Sequence, residues 1–302
     1  MENQVYHQPV MVDEVCQYLL TAREGVYVDA TLGDGGHALE ILRRTSPRVV
    51  LVGIDRDPKA IKVSRERLQD FAPRMQIVQG RFSQLDEILR QMEIEKVNGV
   101  LFDLGVSTRQ LEEAERGFSF QKEGRLDMRM DPETEKTAFL IVNFLPEKEL
   151  ADLIYQFGQE RFSRRIARSI VFHRRQEKID TTSKLARIVE KAVPTRRGRI
   201  HPATRTFMAL RVAVNRELEE LSQGLEKVSR LLAERGRVVV ISYHSLEDRI
   251  VKHFFKNQPS FEILTPRPVQ PSQEEVRKNR RARSARLRAA QKKTGKGGKD
   301  DG

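Results

Sequence analysis

The chain has 302 residues, of which 55 are Lys or Arg and 43 are Asp or Glu, a formal net charge of +12. At that length one large domain or two modest ones are expected, with 38% hydrophobic residues for a core and 32% charged residues for its exterior. A lone cysteine, Cys16, excludes a disulfide framework and a multi-cysteine zinc site. No run approaches the ~18 apolar residues of a membrane helix, and the opening MENQVYHQPVMVDEV lacks signal-peptide character, so a soluble, cytoplasmic protein is expected.

The first elements read as a nucleotide-type βαβ unit. Val26–Ala30 is a short β-rich run, Gly33–Gly36 a glycine turn, and Ala38–Arg44 a helix. Val49–Ile54 is wholly apolar, as a strand buried on both faces of a parallel sheet would be. It leads to Asp55, after which Asp57-Pro58 supplies a helix cap and a first-turn proline. Gly33-x-Gly35-x-x-Ala38 satisfies a dinucleotide-type pattern, with Asp55 22 residues after Gly33. Glycines let the backbone approach a ligand at a helix N-terminus, and an acid at the next strand end accepts from a ribose diol. The pattern indicates an adenosine-bearing cofactor without choosing between NAD and S-adenosylmethionine.

Strands follow at Met75–Val78 and Val97–Asp103, then a long helical stretch over Thr206–Glu234 and a strand at Arg237–Ser242. Ala282–Ala290 is ambiguous between strand and helix. Asp29, Thr31, Asp55, Asp103, Tyr243 and His244 all fall at carboxyl ends of strands, where open parallel sheets bind ligands. The more than 130 residues between Asp103 and Arg237 exceed one crossover helix. A mostly helical insertion is therefore expected at 108–205, within a Rossmann-like α/β domain formed by 1–107 and 206–290. Residues 291–302, rich in Gly and Lys, are expected to be a disordered basic tail.

Charge is unevenly spread. Residues 161–211 hold 15 Lys/Arg against three acids, and 266–302 hold 12 against four, leaving a mildly acidic remainder. At about 100° per residue, Arg161, Arg164, Arg165, Arg168 and Arg175 share one helical arc, while Phe162, Ile166 and Ile170 lie on another. An arginine face with few acids to pair suits phosphate.

Seven segments together resemble the bacterial 16S ribosomal RNA (cytosine-N4)-methyltransferases. They are Asp29–His37 (DATLGDGGH), Gly53–Pro58 (GIDRDP), Phe102–Ser107 (FDLGVS), Glu115–Phe120 (ERGFSF), Leu126–Asp131 (LDMRMD), His201–Phe207 (HPATRTF) and Ser242–Arg249 (SYHSLEDR). The resemblance runs from about His7 to Arg288. It implies a class I fold, S-adenosylmethionine as cofactor, and a cytidine in the decoding region of the small ribosomal subunit as target. It also implies cofactor contacts from Gly35, Gly36, His37, Asp55, Phe82, Asp103 and Gln110. Phe82 is expected on the adenine ring or in the core. No His or Cys partner stands at ligand spacing from His37, so no metal is expected.

An exocyclic cytosine amine is a poor nucleophile, and many amino-methyltransferases serve it with Asp/Asn-Pro-Pro-aromatic after the fourth strand. Here that position reads Asp103-Leu104-Gly105-Val106. Asp103 or a nearby backbone carbonyl is the expected hydrogen acceptor, Tyr243, Phe118 and Phe120 are the candidate stacking rings, and His244 is a candidate for the released proton or for a structural hydrogen bond at the strand end. Arg161, Arg165, Arg168, Arg199 and Arg205 are expected to meet RNA. A homodimer is left open. The competing readings are an NAD-dependent oxidoreductase, a non-catalytic RNA-binding assembly protein with a relic pocket, and a methyltransferase for DNA or another RNA.

Overall fold

A computed structural model describes residues 8–194 and 201–295. The chain divides into two compact units, Met1–Gly105 with Leu218–Gly302, and Val106–Glu217.

The first unit opens with α1 (Val12–Leu19), β1 (Gly25–Asp29), α2 (Gly36–Arg44), β2 (Val49–Asp55) and α3 (Pro58–Arg67). It continues with β3 (Met75–Gln79), α4 (Leu85–Gln91) and β4 (Val97–Asp103). The second unit holds α5 (Thr108–Glu112), α6 (Ala138–Phe144), α7 (Glu147–Gly158), α8 (Ser163–Arg174), α9 (Thr182–Ala192) and α10 (Ala203–Asn215). Its last residue, Glu217, opens α11 (Glu217–Leu231), from which the chain returns to the first unit through β5 (Leu232–Ser242), α12 (Ser245–Asn257), β6 (Phe261–Ile263), α13 (Gln273–Lys278) and β7 (Arg286–Lys292).

The strands form one seven-stranded sheet in the order β3-β2-β1-β4-β5-β7-β6. The pairs from β3 to β5 are parallel, and β7 runs antiparallel to both β5 and β6. Alternation along the strands builds two apolar layers. Tyr27, Leu51, Leu101, Val239 and Ile241 face one side with Val15, Leu19, Ile41 and Leu42. Val28, Val52, Val100, Phe102, Val238 and Val240 face the other with Leu85, Leu89, Leu225 and Val251. Burial on both faces is why β2 and β4 read as unbroken apolar runs rather than alternating ones. Chain order reverses between β1 and β4, so the crevice beyond their carboxyl ends is the ligand position such sheets provide. Asp57 caps α3 as its spacing foretold, accepting from Lys59 N at 3.0 Å with Pro58 in the first turn.

The second unit has its own core, with Leu150, Ile154, Ile166, Ile170, Leu185, Val189, Phe207 and Leu210 among its members. The segment before α6 is tied down by side chains instead of ladders. Asn215 Nδ2 donates to Met128 O at 2.8 Å, and its Oδ1 accepts from Met130 N at 2.8 Å.

Four expectations change. The helix over 206–234 is two helices, because Arg216 takes a left-handed φ of 50° between α10 and α11. The helical unit begins at Val106 and ends at Glu217, where 108–205 was expected. It includes α10 because Ala203, Phe207 and Leu210 enter its core, and Gly158 lets α7 approach so closely that a Cβ there would lie 2.6 Å from Arg205 O. The strand over 237–242 reaches back to Leu232, the register shifting where Val97 pairs with Leu232 and Gly99 with Arg237. Finally, 291–295 of the expected tail are ordered parts of the fold, while 296–302 lie outside the described residues. Gln291 and Lys292 complete β7, Lys293 N donates to Ser260 O, and Gly295 N donates to Glu234 Oε1.

Candidate functional site

Three carboxylates end three adjacent strands of the first unit: Asp29 on β1, Asp55 on β2 and Asp103 on β4. Sheet geometry brings them to one edge although they lie far apart in sequence. Burial dominates all three and pushes their carboxyls above the usual range. Asp29 is 1% exposed and titrates at about 6, burial outweighing the attraction of His37 and a hydrogen bond from Thr31 N. Its Oδ1 accepts from Thr31 N at 3.2 Å, while Oδ2 is buried with no hydrogen-bond partner among the described residues. A buried carboxylate oxygen left unpaired is costly, and it is the place a cationic or N–H-bearing ligand would satisfy.

Asp55 uses each oxygen once, accepting Gly33 N at 2.8 Å on Oδ2 and Asp57 N at 2.8 Å on Oδ1. The carboxylate thus shapes the glycine turn, and each oxygen retains acceptor capacity for a diol. Gly33 and Gly35 have φ of 52° and 75°, in the region that favours glycine. Gly35 is the N-cap of α2, and a Cβ there would sit 3.0 Å from Leu68 Cδ1. The first amides of a helix have no partners within it, so the turn presents donors suited to a carboxylate.

His37, in the first turn of α2, is buried with Nε2 2.8 Å from Val10 O. A carbonyl only accepts, so that nitrogen carries the hydrogen. Its Nδ1 faces Asp103 Oδ2 at 3.5 Å. Asp103 Oδ1 accepts from Tyr243 OH at 2.8 Å, and its backbone N donates to Thr31 Oγ1 at 2.6 Å. The Asp103 carboxyl is raised by burial first, with His37 and the Tyr243 hydroxyl pulling it back. Tyr243 is pushed well above its ordinary value by burial and by the Asp103 charge, so it remains a phenol and donates. Gly105 follows with φ of 99°, and the position a Cβ would take is 3.4 Å from the Tyr243 ring.

His244 is the N-cap of α12. Its Nδ1 accepts from Glu247 N at 3.4 Å, and its Nε2 lies 3.2 Å from Glu247 Oε1. Glu247 Oε2 in turn accepts from Tyr243 N at 2.9 Å and His244 N at 3.2 Å. The turn gives His244 Nδ1 a structural role as the cap of α12, while its Nε2 is buried without a hydrogen-bond partner among the described residues. Phe82 is likewise in the core, edge-on to Phe102 with centroids 5.4 Å apart and against Gly224, where a Cβ would lie 2.9 Å from Phe82 Cδ2.

Within the second unit, Gln110 is buried and forms a reciprocal capping box with Ser107, N to Oγ at 3.2 Å and N to Oε1 at 3.0 Å. Phe118 lies in the core with Arg116 over its ring. Phe120 meets His201 and Phe207 at 4.6 and 5.0 Å between centroids. Both rings are therefore engaged inside that unit. Arg161, Arg165 and Arg168 are exposed on or beside α8, as the periodicity required. Arg205 is exposed but donates to Gln159 O at 3.1 Å and stands 3.8 Å from Glu160, a tie that holds the end of α7. Arg199 lies outside the described residues.

Sequence reasoning named Asp29, Thr31 and Asp103 as edge residues but missed how they interlock, and it missed Glu247. A Glu at the third position after His244 is a capping signal that would have found it. The donor set fits S-adenosylmethionine: an unpaired buried carboxylate oxygen for its cationic end, helix-terminal amides for its carboxylate, and Asp55 for its ribose.

Known proteins agree. The family model described as the MraW methylase family matches residues 4–293. A ribosomal RNA small subunit methyltransferase H from Thermotoga neapolitana is 50% identical over 291 residues, covering 95% of this chain and 96% of the relative. Its namesake from Sulfurihydrogenibium sp. (strain YO3AOP1) is 47% identical over 293 residues, covering 95% and 99%. A third, from Coprothermobacter proteolyticus, is 46% identical and covers 98% and 99%. With a family match over almost its whole length and relatives near half identity from end to end, the chain belongs to the MraW methylase family.

Proposed function

We propose that the chain is an S-adenosylmethionine-dependent methyltransferase that modifies the exocyclic N4 amine of a cytidine in the decoding region of 16S ribosomal RNA. The observation that carries the reading is the Asp103 carboxylate at the switch-point edge of the sheet, held on one oxygen by Tyr243 and facing His37 with the other. Near-full-length likeness to small-subunit RNA methyltransferases supports the substrate class.

Bound S-adenosylmethionine supplies an electrophilic methyl group, so the protein's remaining task is to position and activate the amine. Cytosine N4 shares its lone pair with the ring, and an acceptor for its hydrogens localises that pair as the new bond forms. Asp103 serves as that acceptor in this reading. Its burial-raised basicity makes it a better acceptor than an exposed carboxylate, and the Tyr243 hydroxyl fixes its orientation. Asp29 Oδ2, the Gly36 and His37 amides at the start of α2 and Asp55 orient the cofactor. Arg161, Arg165 and Arg168 carry phosphate contacts. Among the described residues, no helix is long and apolar enough to cross a membrane. The oxidoreductase alternative falls with the family assignment.

Calorimetric titration with S-adenosylmethionine, and separately with NAD, tests the cofactor. Saturable binding of the first alone is expected, lost or severely weakened in Asp55→Ala, whose unpaired Gly33 and Asp57 amides would no longer hold the turn. Binding of NAD alone would reverse the reading.

A further inference from the structure

Four large hydrophobic side chains stand out from the surface of the second unit: Leu140 (43% exposed), Phe144 (59%), Tyr155 (62%) and Phe172 (59%). A single exposed apolar residue is ordinary, so their surroundings decide. Leu140 has no flat face. Phe144 is covered by Lys178, whose Nζ lies 4.3 Å from the ring centroid. Tyr155 belongs to α7, whose exposed residues include Glu147, Glu149 and Asp152, a poor approach for a polyanion.

Phe172 is placed differently. At about 100° per residue it falls in the middle of the arginine arc of α8, four residues after Arg168, seven after Arg165 and three before Arg175. Ile166, Ala167, Ile170 and Val171 bury the opposite side, so the arc faces outward. The helix contains no acid. Among the described residues no ion pair joins Arg161, Arg164, Arg165 or Arg175 to a carboxylate, and Arg168 approaches only Glu147, at 3.8 Å. Phe172 meets His173 nearly perpendicular, with centroids 5.4 Å apart, and stays 59% exposed. Of the guanidinium groups around it only Arg168 approaches a carboxylate, so among the described residues the face lacks a stacked partner and most of its counter-charge.

We propose that the Arg165–Arg168–Phe172–Arg175 face of α8 holds single-stranded RNA, with Phe172 stacked on an unpaired base and the arginines on the flanking phosphates. The inference rests on the RNA-methylating reading and adds the form of RNA engaged. Every base has a π-face, but only an unpaired one offers it to a side chain, whereas the grooves of an A-form duplex keep bases from a ring. The arginines serve either form, so the aromatic is what discriminates.

The test is binding of the full chain to a labelled single-stranded RNA and to a duplex of the same length, each over a range of salt. Phe172→Ala should weaken single-strand binding by about tenfold, leave duplex binding unchanged and preserve the salt slope. Phe172→Tyr should restore the affinity. Arg165→Gln with Arg168→Gln should flatten the slope by about one to one and a half units. Unchanged single-strand affinity in Phe172→Ala, or an equal loss on duplex, overturns the stacking role. The substituted side chain is exposed, so the thermal unfolding midpoint and helical circular dichroism of the variant should equal those of the parent chain and certify its fold. Failure of the parent chain to bind either RNA overturns the functional reading along with the inference, while binding by the parent with no effect of Phe172→Ala overturns the inference alone.

Discussion

Asp29 is buried at the carboxyl end of β1 with one carboxylate oxygen unpartnered among the described residues. Its carboxyl titrates at about 6 in the folded chain against 3.8 without the fold, because burial disfavours its charge. Between those values the folded state holds the proton more tightly, so stability falls as pH rises through the window, and the penalty is complete above about pH 6. At 1.36 kcal/mol per unit the penalty is at most about 3 kcal/mol. Asp29→Asn should therefore stabilise the cofactor-free protein more near pH 7.5 than near pH 4, by an amount approaching that figure in urea unfolding. An equal effect at both pH values would mean that Asp29 is not charged against a desolvation cost. The Asp103–Tyr243 hydrogen bond and the His37–Asp103 approach join residues separated by 140 and 66 positions, so no spacing rule could reveal them. The strand-end acids themselves were legible, because each terminates an apolar run.

At the scale of elements, the glycine turn is the most constrained piece of backbone. Gly35→Ala places a side chain at φ of 75° and 3.0 Å from Leu68. It should cost about 1–2 kcal/mol and weaken cofactor binding with it. Gly36→Ala, at an ordinary φ and with only Pro9 at 3.2 Å to displace, should cost clearly less. Denaturant midpoints of the two variants decide the order; equal losses would show that crowding, not φ, governs the turn. The strands up to Asp103 and the cap at Asp57 were readable from apolar runs and from Asp-Pro. The break at Arg216 was not, since an arginine in the left-handed region carries no signal comparable to glycine. The identity of Ala282–Ala290 was equally hidden, because Leu287 and the Ala pair gain their burial only by pairing with β5.

Across the whole molecule, two chemistries sit in two units. The sheet edge of the first gathers buried acids that suit a cationic cofactor, and the second carries the densest positive charge, outward on α8. The charge excess and its periodicity were visible in the sequence. What escaped was Phe172, hidden because an apolar residue on an amphipathic helix reads as core until its neighbours are placed. Tyr243 and His244 were equally readable as a strand-end pair, yet the fold divides them: the phenol goes to Asp103 and the imidazole to the cap of α12.

Methyl transfer to cytosine N4 with Asp103 as acceptor is tested by one assay. The full chain is incubated with methyl-labelled S-adenosylmethionine and small ribosomal subunits lacking the modification, and the digested RNA is analysed by nucleoside. Label is expected in N4-methylcytidine, reduced at least about 100-fold in Asp103→Asn at saturating cofactor, with thermal stability of the variant near that of the parent. Label on another base or ring position, or undiminished transfer by Asp103→Asn, would contradict this expectation.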